Sequence, residues 1–330
     1  MPTLEGIMHR LIVASLVVSG FGVANSMSGS VVSAPPQSPR PAGDRETPDS
    51  AALEADLAPL DAVAIEAWQE LSRRRIYFAH QSVGSNILRG MERIEKSRPA
   101  VVPNIAGVGN GTPRAQKKGA SLSDSGLFHG PAGKNGDPLE KIASFERFLI
   151  AEAGRRDGQV GEVAAGFDIA LLKLCYADIT RSTDVTALFT AYCAAIERIE
   201  RDCPKLRIIH CTVPLRTAGQ GAKAAVKRLI GAGTGEANAA RGRFNDLVRA
   251  RFPASRIFDI ARIESRSPDG SQAFDTFGGT RWPALCEAYS RDGGHLNELG
   301  QEVLAREMLL VLVRNTSESA LSGESRRETR

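Results

Sequence analysis

The chain is poor in residues that bind metals. Its 330 residues include five histidines and five cysteines, scattered along the sequence. A metal site needs three or four converging ligands, and cysteine-rich zinc sites usually show C-x-x-C spacing, which is absent here. We therefore predict no metal site and no cofactor. For the odd number of cysteines we expect buried apolar thiols, with room for one disulfide and at least one cysteine unpaired.

Aromatic residues are also scarce. The sequence has two tryptophans and four tyrosines, and its net charge of +4 comes from acids and bases that are interspersed along the chain. A nucleic-acid-binding protein usually concentrates basic and aromatic residues on one surface. We therefore predict that nucleic acid is not a partner.

No apolar run reaches the ~20 residues of a membrane-spanning helix. The run Leu11–Val23 follows His9 and Arg10 and precedes small residues, which is the layout of a signal peptide. We expect 1–27 to be a cleaved signal peptide and the mature protein to be exported, either periplasmic or secreted, without stable membrane insertion. An uncleaved anchor and a misassigned start site are the alternatives.

Polar segments flank one predicted domain. Residues 28–55 include SAPPQSPRPAGD and predict a disordered linker. Residues 315–330 are equally polar and predict a disordered tail. The segment between them, 56–314, is long enough for one hydrophobic core, and we expect a monomer.

Within that domain, short apolar runs alternate with segments of helical periodicity. The predicted strands are 76–79, 101–105, 168–174, 206–213 and 256–260, and the predicted helices are 60–74, 83–96, 138–153, 185–202, 236–251 and 299–314. This alternation predicts an α/β fold, with helices on both faces of a mostly parallel sheet. Such folds bind ligands beyond the carboxyl ends of the strands, where two long connections, 106–137 and 261–291, are expected.

Ser82 lies between the first predicted strand and a helix that begins with Val83 and Gly84. The first N–H groups of a helix have no intrahelical partner, so these residues can stabilise negative charge beside the Ser82 hydroxyl. This pattern predicts a nucleophile with part of an oxyanion hole. An ordinary capping serine is the alternative.

Asp292 and His295 lie in SRDGGHLNELGQEVLA, just before the last predicted helix. A serine nucleophile needs an imidazole to accept its proton and a carboxylate to orient that imidazole. This loop supplies both groups. Taken alone, Asp292 could cap a turn and His295 could be a surface histidine, so the pair gains meaning only together with Ser82.

The combination resembles the SGNH, or GDSL-like, hydrolases, which place a serine after the first strand and D-x-x-H before the last helix. DGGHLNELGQEVLAREML is similar to that last block, and CTVPL, RFNDLVRARF and IFDIA fit the region of the fourth and fifth strands. The resemblance covers 75–312. It implies a three-layer sandwich with a five-stranded, flavodoxin-like parallel sheet of strand order 2-1-3-4-5, and a triad of Ser82, His295 and Asp292.

Two motifs depart from the family pattern. His80-Gln81-Ser82 replaces Gly-Asp-Ser, as in poorly characterised relatives with a His-Gln-Ser-Val-Gly segment. Relatives carry Gly-x-Asn-Asp after the third strand, and this chain has Cys175–Asp178, with Ala177 at the position of the oxyanion-binding asparagine.

Several residues could compensate for the missing asparagine. The strand order places the segment from Lys173 to Asp178 beside Ser82, so Lys173 or Tyr176 could donate to the oxyanion, and the Asn135-Gly136 turn could add a backbone N–H. The alternative is that the lysine and tyrosine are salt-bridged or packed. His80 is either a second base or a structural hydrogen-bonding residue, and His129 is either a substrate contact or a solvated loop residue.

The resemblance implies hydrolysis of acyl esters, in which Ser82 attacks, His295 transfers the proton and Asp292 orients the imidazole. We expect the substrate to be an acyl ester, including O-acyl groups on carbohydrate. Acyl transfer to a polysaccharide and non-catalytic carbohydrate binding on the same fold are the alternatives.

Overall fold

Helices and strands alternate along the described part of the chain. The computed structural model describes residues 57–109, 112–113, 125–154, 166–219 and 235–324. The helices are α1 (Ile65–Ser72), α2 (Val83–Ser97), α3 (Pro138–Gly154), α4 (Val185–Asp202), α5 (Gly235–Arg251), α6 (Ile260–Glu264) and α7 (Glu298–Glu324). The strands are β1 (Arg75–Ala79), β2 (Ile105–Gly109), β3 (Thr112–Pro113), β4 (Gly126–Gly130), β5 (Ile169–Leu172), β6 (Arg207–Cys211), β7 (Ile257–Phe258), β8 (Phe274–Phe277) and β9 (Thr280–Pro283). The predicted signal peptide, 1–27, and linker, 28–55, lie outside the described residues.

The central sheet is parallel and has six strands in the order β2-β4-β1-β5-β6-β7, and the short β3 pairs antiparallel with β2. The α/β class is therefore as predicted, but the five-stranded sheet is not. The predicted order 2-1-3-4-5 pairs the second strand directly with the first, but in the structure β4 lies between β2 and β1. The predicted neighbours on the other side, β1-β5-β6-β7, are present.

Strand β4 lies inside 106–137, which the sequence predicted to be a long connection. It is only five residues long, GLFHG, with glycine at both ends, so its apolar signal is too short to detect. Neighbouring strands pair with it on both sides, and Leu127 and Phe128 are buried. His129 therefore lies on an inner strand and not in a loop.

Two buried clusters cover the two faces of the sheet. Because side chains alternate along a strand, Ile76 and Phe78 of β1 face α1, α2 and α7, whereas Tyr77 and Ala79 face α3, α4 and α5. Parallel strands that are buried on both faces are apolar throughout, which explains their continuous hydrophobic runs. The predicted three layers are thus present, and the carboxyl ends of the strands converge at one edge of the sheet.

The predicted tail begins too early. Helix α7 continues to Glu324, past the expected boundary at Asn315. Asn315 is buried, and its amide donates to the carbonyl oxygens of Ser255 and Val311. A polar residue that packs in this way is invisible to composition, which treats it as part of a solvated segment.

The second long connection, 261–291, contains ordered structure. After α6 it forms the antiparallel hairpin of β8 and β9 and a 3-10 turn at Glu287–Tyr289.

The five cysteines are free thiols, and four of them are buried, so the disulfide allowed for by the sequence is not present. Among the described residues, no helix combines the length and the apolar character that crossing a membrane requires.

Candidate active site

Ser82 occupies the sharp turn between β1 and α2. Its φ of 54° is the one positive φ of a non-glycine residue in the described part of the chain. Its ψ is −103°, and its side chain makes no capping hydrogen bond to the helix. The interpretation of Ser82 as an ordinary capping serine is therefore wrong. Such backbone costs about 1–3 kcal/mol and persists where the surrounding structure holds it.

The structure brings Ser82, His295 and Asp292 together, although 213 residues separate the first two. Ser82 Oγ lies 2.5 Å from His295 Nε2, and His295 Nδ1 lies 2.8 Å from Asp292 Oδ2. The side chains of His295 and Asp292 are 30% and 45% exposed, so substrate can reach them from solvent. This arrangement lets the imidazole accept the serine proton while the carboxylate fixes the ring.

Asp292 orients His295 through its backbone as well. The second carboxylate oxygen, Oδ1, accepts from the N–H groups of His295 at 2.8 Å and Gly294 at 3.2 Å. The hydrogen bond from the His295 backbone is the main cause that lowers the pKa of Asp292 to about 2. The ionised carboxylate accepts only, so the Nδ1 proton of the ring points to Asp292 and the Nε2 lone pair faces Ser82.

Two polar residues that the sequence did not single out fix the triad loop. Buried Asn86 of α2 accepts from the Leu296 N–H group through Oδ1 at 3.2 Å. The Gly293 carbonyl accepts from the Thr217 N–H group at 3.1 Å. The loop that carries Asp292 and His295 is therefore tied both to the helix that follows Ser82 and to the segment after β6.

Gly84 lets α2 begin directly beside the sheet. A Cβ atom at this position would lie 2.4 Å from the Cβ and Cγ atoms of His80. Only glycine allows this approach without displacing the neighbouring ring. The turn that presents Ser82 thus depends on a glycine two residues later.

Of the predicted backbone donors at the helix start, Gly84 is engaged, because its N–H group donates to the Gln81 carbonyl at 3.1 Å. The Ser82 and Val83 N–H groups find no acceptor among the described residues. A developing oxyanion needs such donors, and those at the start of a helix also carry its positive dipole. Ser82 and Val83 therefore remain the best candidates for the oxyanion hole.

Asn135, Gly136 and Asp178 belong to a buried ion pair with Lys141, a role different from the oxyanion or substrate contacts that the sequence predicted for them. The carboxylate of Asp178 accepts from Lys141 Nζ at 2.7 Å, from the Cys175 N–H group at 2.6 Å and from the Gly136 N–H group at 2.8 Å. Lys141 Nζ also donates to Asn135 Oδ1 at 2.7 Å. A charge buried this deeply needs these partners, which explains why the turn folds onto Asp178.

Lys173 and Tyr176 have different positions. The Lys173 side chain is buried, and its Nζ donates to the Gln81 carbonyl at 2.8 Å, so it supports the turn before Ser82 and does not donate to an oxyanion. The Tyr176 hydroxyl lies 3.4 Å from His295 Nε2. Tyr176 is therefore the residue of this strand end that reaches the triad.

His80 forms a buried pair with His129, with 3.1 Å between His80 Nε2 and His129 Nδ1. Burial lowers the pKa of His80 well below its usual value, with a further contribution from His129, so its ring is neutral. No hydrogen bond links His80 to Ser82 among the described residues. The structure favours the structural role for His80 over a second base, and His129 is half-buried beside it.

Among the described residues, neither a metal-binding group nor a cavity competes with this site. Within the described ranges, no group of three or more His, Cys, Asp and Glu side chains is arranged to hold a metal ion. A cavity of about 220 Å³, lined among others by Leu149, Phe167 and Cys203, lies near the amino-terminal ends of β5 and β6. That is the opposite edge of the sheet from Ser82.

Comparisons with known proteins do not assign the chain to a family. No protein-family model and no curated protein sequence matches it. A solved structure from Streptococcus pneumonia, of a protein named as a platelet activating factor, is 14% identical, with a TM-score of 0.37 over 70% of this chain and 92% of that chain. The OSK domain of Drosophila Oskar is 13% identical, with a TM-score of 0.32 over 72% of this chain and 86% of that chain.

Proposed function

We propose that this protein is a serine-dependent hydrolase of acyl esters, on a divergent branch of the SGNH hydrolases, and that it acts after export. The observation that carries the proposal is the 2.5 Å contact between Ser82 Oγ and His295 Nε2, with Asp292 behind the ring at 2.8 Å. Nothing in this geometry requires a cofactor. The substrate in this proposal is an acyl ester, including O-acyl groups on carbohydrate.

The chemistry follows from the hydrogen bonds. Ser82 Oγ attacks the ester carbonyl as its proton passes to His295 Nε2, and the imidazolium that forms is stabilised by ionised Asp292. The oxyanion accepts from the Ser82 and Val83 N–H groups. His295 then returns the proton to the leaving alcohol. Water, activated by the same imidazole, releases the acid and restores Ser82.

Nitrophenol release from nitrophenyl acetate tests this function. We expect Ser82→Ala and His295→Ala each to lower kcat/KM by about 10⁴-fold, because the residues act as one unit. Ser85→Ala is the matched control, since Ser85 lies on the first turn of α2 and makes no hydrogen bond to the triad among the described residues. Circular dichroism and urea unfolding confirm that the variants are folded.

Equal rates in the protein and both triad variants would contradict the proposal. Triad-dependent nitrophenol release with the acetyl group recovered on an added oligosaccharide, in excess of free acetate, would instead identify an acyltransferase that uses the same serine.

A further inference from the structure

A cation that the sequence did not single out lies beside the triad. Arg216 follows β6, and its Nε donates to the carbonyl oxygen of Gly293, between Asp292 and His295, at 3.3 Å. Its guanidinium carbon lies 5.7 Å from the ring centroid of Tyr176. The hydroxyl of the same tyrosine is 3.4 Å from His295 Nε2. The Arg216 guanidinium and His295 Nε2 are therefore both neighbours of the Tyr176 side chain.

Arg216 has no acidic partner in the described part of the chain. More than half of the arginines that the structure describes are paired with carboxylates, as Arg198 is with Glu146 and Arg249 with Asp259. The Nη groups of Arg216 make no hydrogen bond to described residues, although the side chain is half-buried. The sequence from 220 to 234 contains two lysines, one arginine and no acid. It therefore offers nothing to neutralise Arg216.

A second guanidinium lies behind the first. Arg241 is buried, and it donates to the Tyr176 carbonyl at 2.9 Å and to Asn238 Oδ1 at 2.8 Å. Both acceptors are neutral. Burial, and next the charge of Arg216, lower the pKa of Arg241 to about 10. Arg216 and Arg241 thus both lie beside Tyr176. The oxygen atoms that accept hydrogen bonds from their guanidinium groups are all neutral.

We infer that Arg216 binds a carboxylate of the substrate, so that the preferred esters carry this anionic group a few bonds from the scissile carbonyl. The inference rests on the proposed function and names its substrate class. A guanidinium whose two Nη groups are available matches the two oxygens of a carboxylate. Its stacking on Tyr176 limits its freedom before the substrate arrives, which reduces the entropy that binding costs.

The first experiment measures a selectivity ratio. The charged probe is the nitrophenyl monoester of adipic acid, and its neutral counterpart has an isopropyl group in place of the free carboxylate. We expect Arg216→Gln to lower kcat/KM for the charged ester about 10- to 100-fold more than for the neutral ester. Arg216→Lys should retain part of the preference for the charged ester, because lysine keeps the charge but lacks the paired N–H donors of the guanidinium.

Arg243 provides the matched control for Arg216. Arg243→Gln removes another arginine that stacks on an aromatic ring, Trp282 at 5.8 Å, and it should leave the ratio unchanged. Arg216→Gln with the wild-type ratio for this pair would exclude a carboxylate on the acyl group, even if both rates fell, because loss of the Gly293 contact affects both esters equally.

The carboxylate could belong to the acyl group or to the alcohol. Acetate release from O-acetylated galacturonate and from O-acetylated galactose gives the second pair of substrates for the same variants. A ratio that depends on Arg216 in the adipate pair places the anion on the acyl side, and one in the galacturonate pair places it on the alcohol side. Dependence in neither pair contradicts the inference.

A binding measurement separates this inference from the proposed function. In Ser82→Ala, calorimetric titration with adipate and with galacturonate should show binding of at least one of them, which Arg216→Gln weakens about 10-fold or more. Binding of this kind without triad-dependent hydrolysis would retain the carboxylate site and reject the hydrolase. Triad-dependent hydrolysis without carboxylate binding, and without an Arg216-dependent preference for the charged ester, would retain the hydrolase and reject the carboxylate site.

Discussion

Ser82 before α2 and Asp184 before α4 are two of the polar residues that precede helices in the described part of the chain. Asp184 behaves as a capping residue: its φ is −71°, and its side chain accepts from the Ala187 N–H group at 2.9 Å. Ser82 has a φ of 54° and caps nothing, because its hydroxyl faces His295. The same kind of sequence position thus serves the local helix in one place and a distant histidine in the other.

The difference shows how a helix start becomes a reactive site. At Asp184 the side chain satisfies the backbone donors of its own helix. At Ser82 the strained backbone turns the side chain away, and the Ser82 and Val83 N–H groups are left without described acceptors. The local stability that Asp184 gains is given up at Ser82, and the hydroxyl and N–H groups become available to a substrate.

Substitutions at the two positions should separate these roles most strongly. Ser82→Ala and Ser82→Gly should both reduce ester turnover by about 10⁴-fold. Because glycine tolerates a positive φ, the glycine variant should be more stable than the alanine variant by about 1–2 kcal/mol. Asp184→Ala should lose about 1 kcal/mol of unfolding free energy with turnover retained. Urea unfolding and nitrophenyl acetate turnover measure both quantities. Loss of turnover in Asp184→Ala, or its survival in Ser82→Gly, would break the comparison.

The second residues of the two helices provide a smaller contrast. Gly84→Ala would put a methyl group 2.4 Å from His80 atoms, and we expect a loss of about 1–3 kcal/mol in stability together with lower turnover as the Ser82 turn shifts. Thr186 has the equivalent position in α4 and is exposed. Thr186→Ala should change stability by less than about 0.5 kcal/mol. Similar unfolding midpoints for both variants would mean that the close packing at Gly84 has no energetic importance.

Helices α2 and α4 each pack near a buried histidine. The pH dependence of stability that such a histidine causes is the smallest effect that we predict. His80 adjoins Gly84, and His210 Nδ1 lies 2.8 Å from the hydroxyl of Tyr192 on α4. Burial is the main cause that lowers the pKa of His210 to about 3, whereas an unfolded histidine titrates near 6.5. As the pH falls below about 6.5, the unfolded chain binds a proton that the folded chain does not, so stability decreases by up to about 1.4 kcal/mol per pH unit for this residue.

Urea unfolding at about pH 7.5 and about pH 5.5 tests this linkage. His210→Phe should show a weaker decrease than the wild type. Tyr192→Phe should keep the full decrease, because it removes the hydrogen bond while His210 stays buried. An unchanged pH dependence in His210→Phe would show that another group is responsible, with His80 the next to examine.

The sequence predicted the parts of this fold that depend on periodicity. Helix α4 has the predicted bounds, Val185–Asp202, because its apolar positions repeat regularly between Asp184 and a proline at 204. The meeting of Ser82 with the Asp292 loop was also predictable, since both patterns carry the residue types of one reaction. Strand β4 was missed because five residues between two glycines give almost no periodic signal.

The errors around the site have a different cause. Asp178 lies three positions from Cys175 and near the predicted strand end, but its role is set by Lys141, 37 residues away, which no local pattern connects to it. Lys173 was placed at the right strand end, yet whether its amino group turns to an oxyanion or to the Gln81 carbonyl depends on packing. Arg216 follows β6 at the edge where ligands bind, so inspection of every strand end could have found it.

Covalent labelling with a fluorophosphonate tests the central claim most directly, because this reagent needs an activated serine and no knowledge of the substrate. The account predicts one adduct per chain by intact mass, located on Ser82 by peptide sequencing, and strongly reduced labelling in His295→Ala and Asp292→Ala. Ser82→Ala should not be labelled. An unlabelled wild-type protein, or equal labelling of the wild type and His295→Ala, would contradict an activated Ser82.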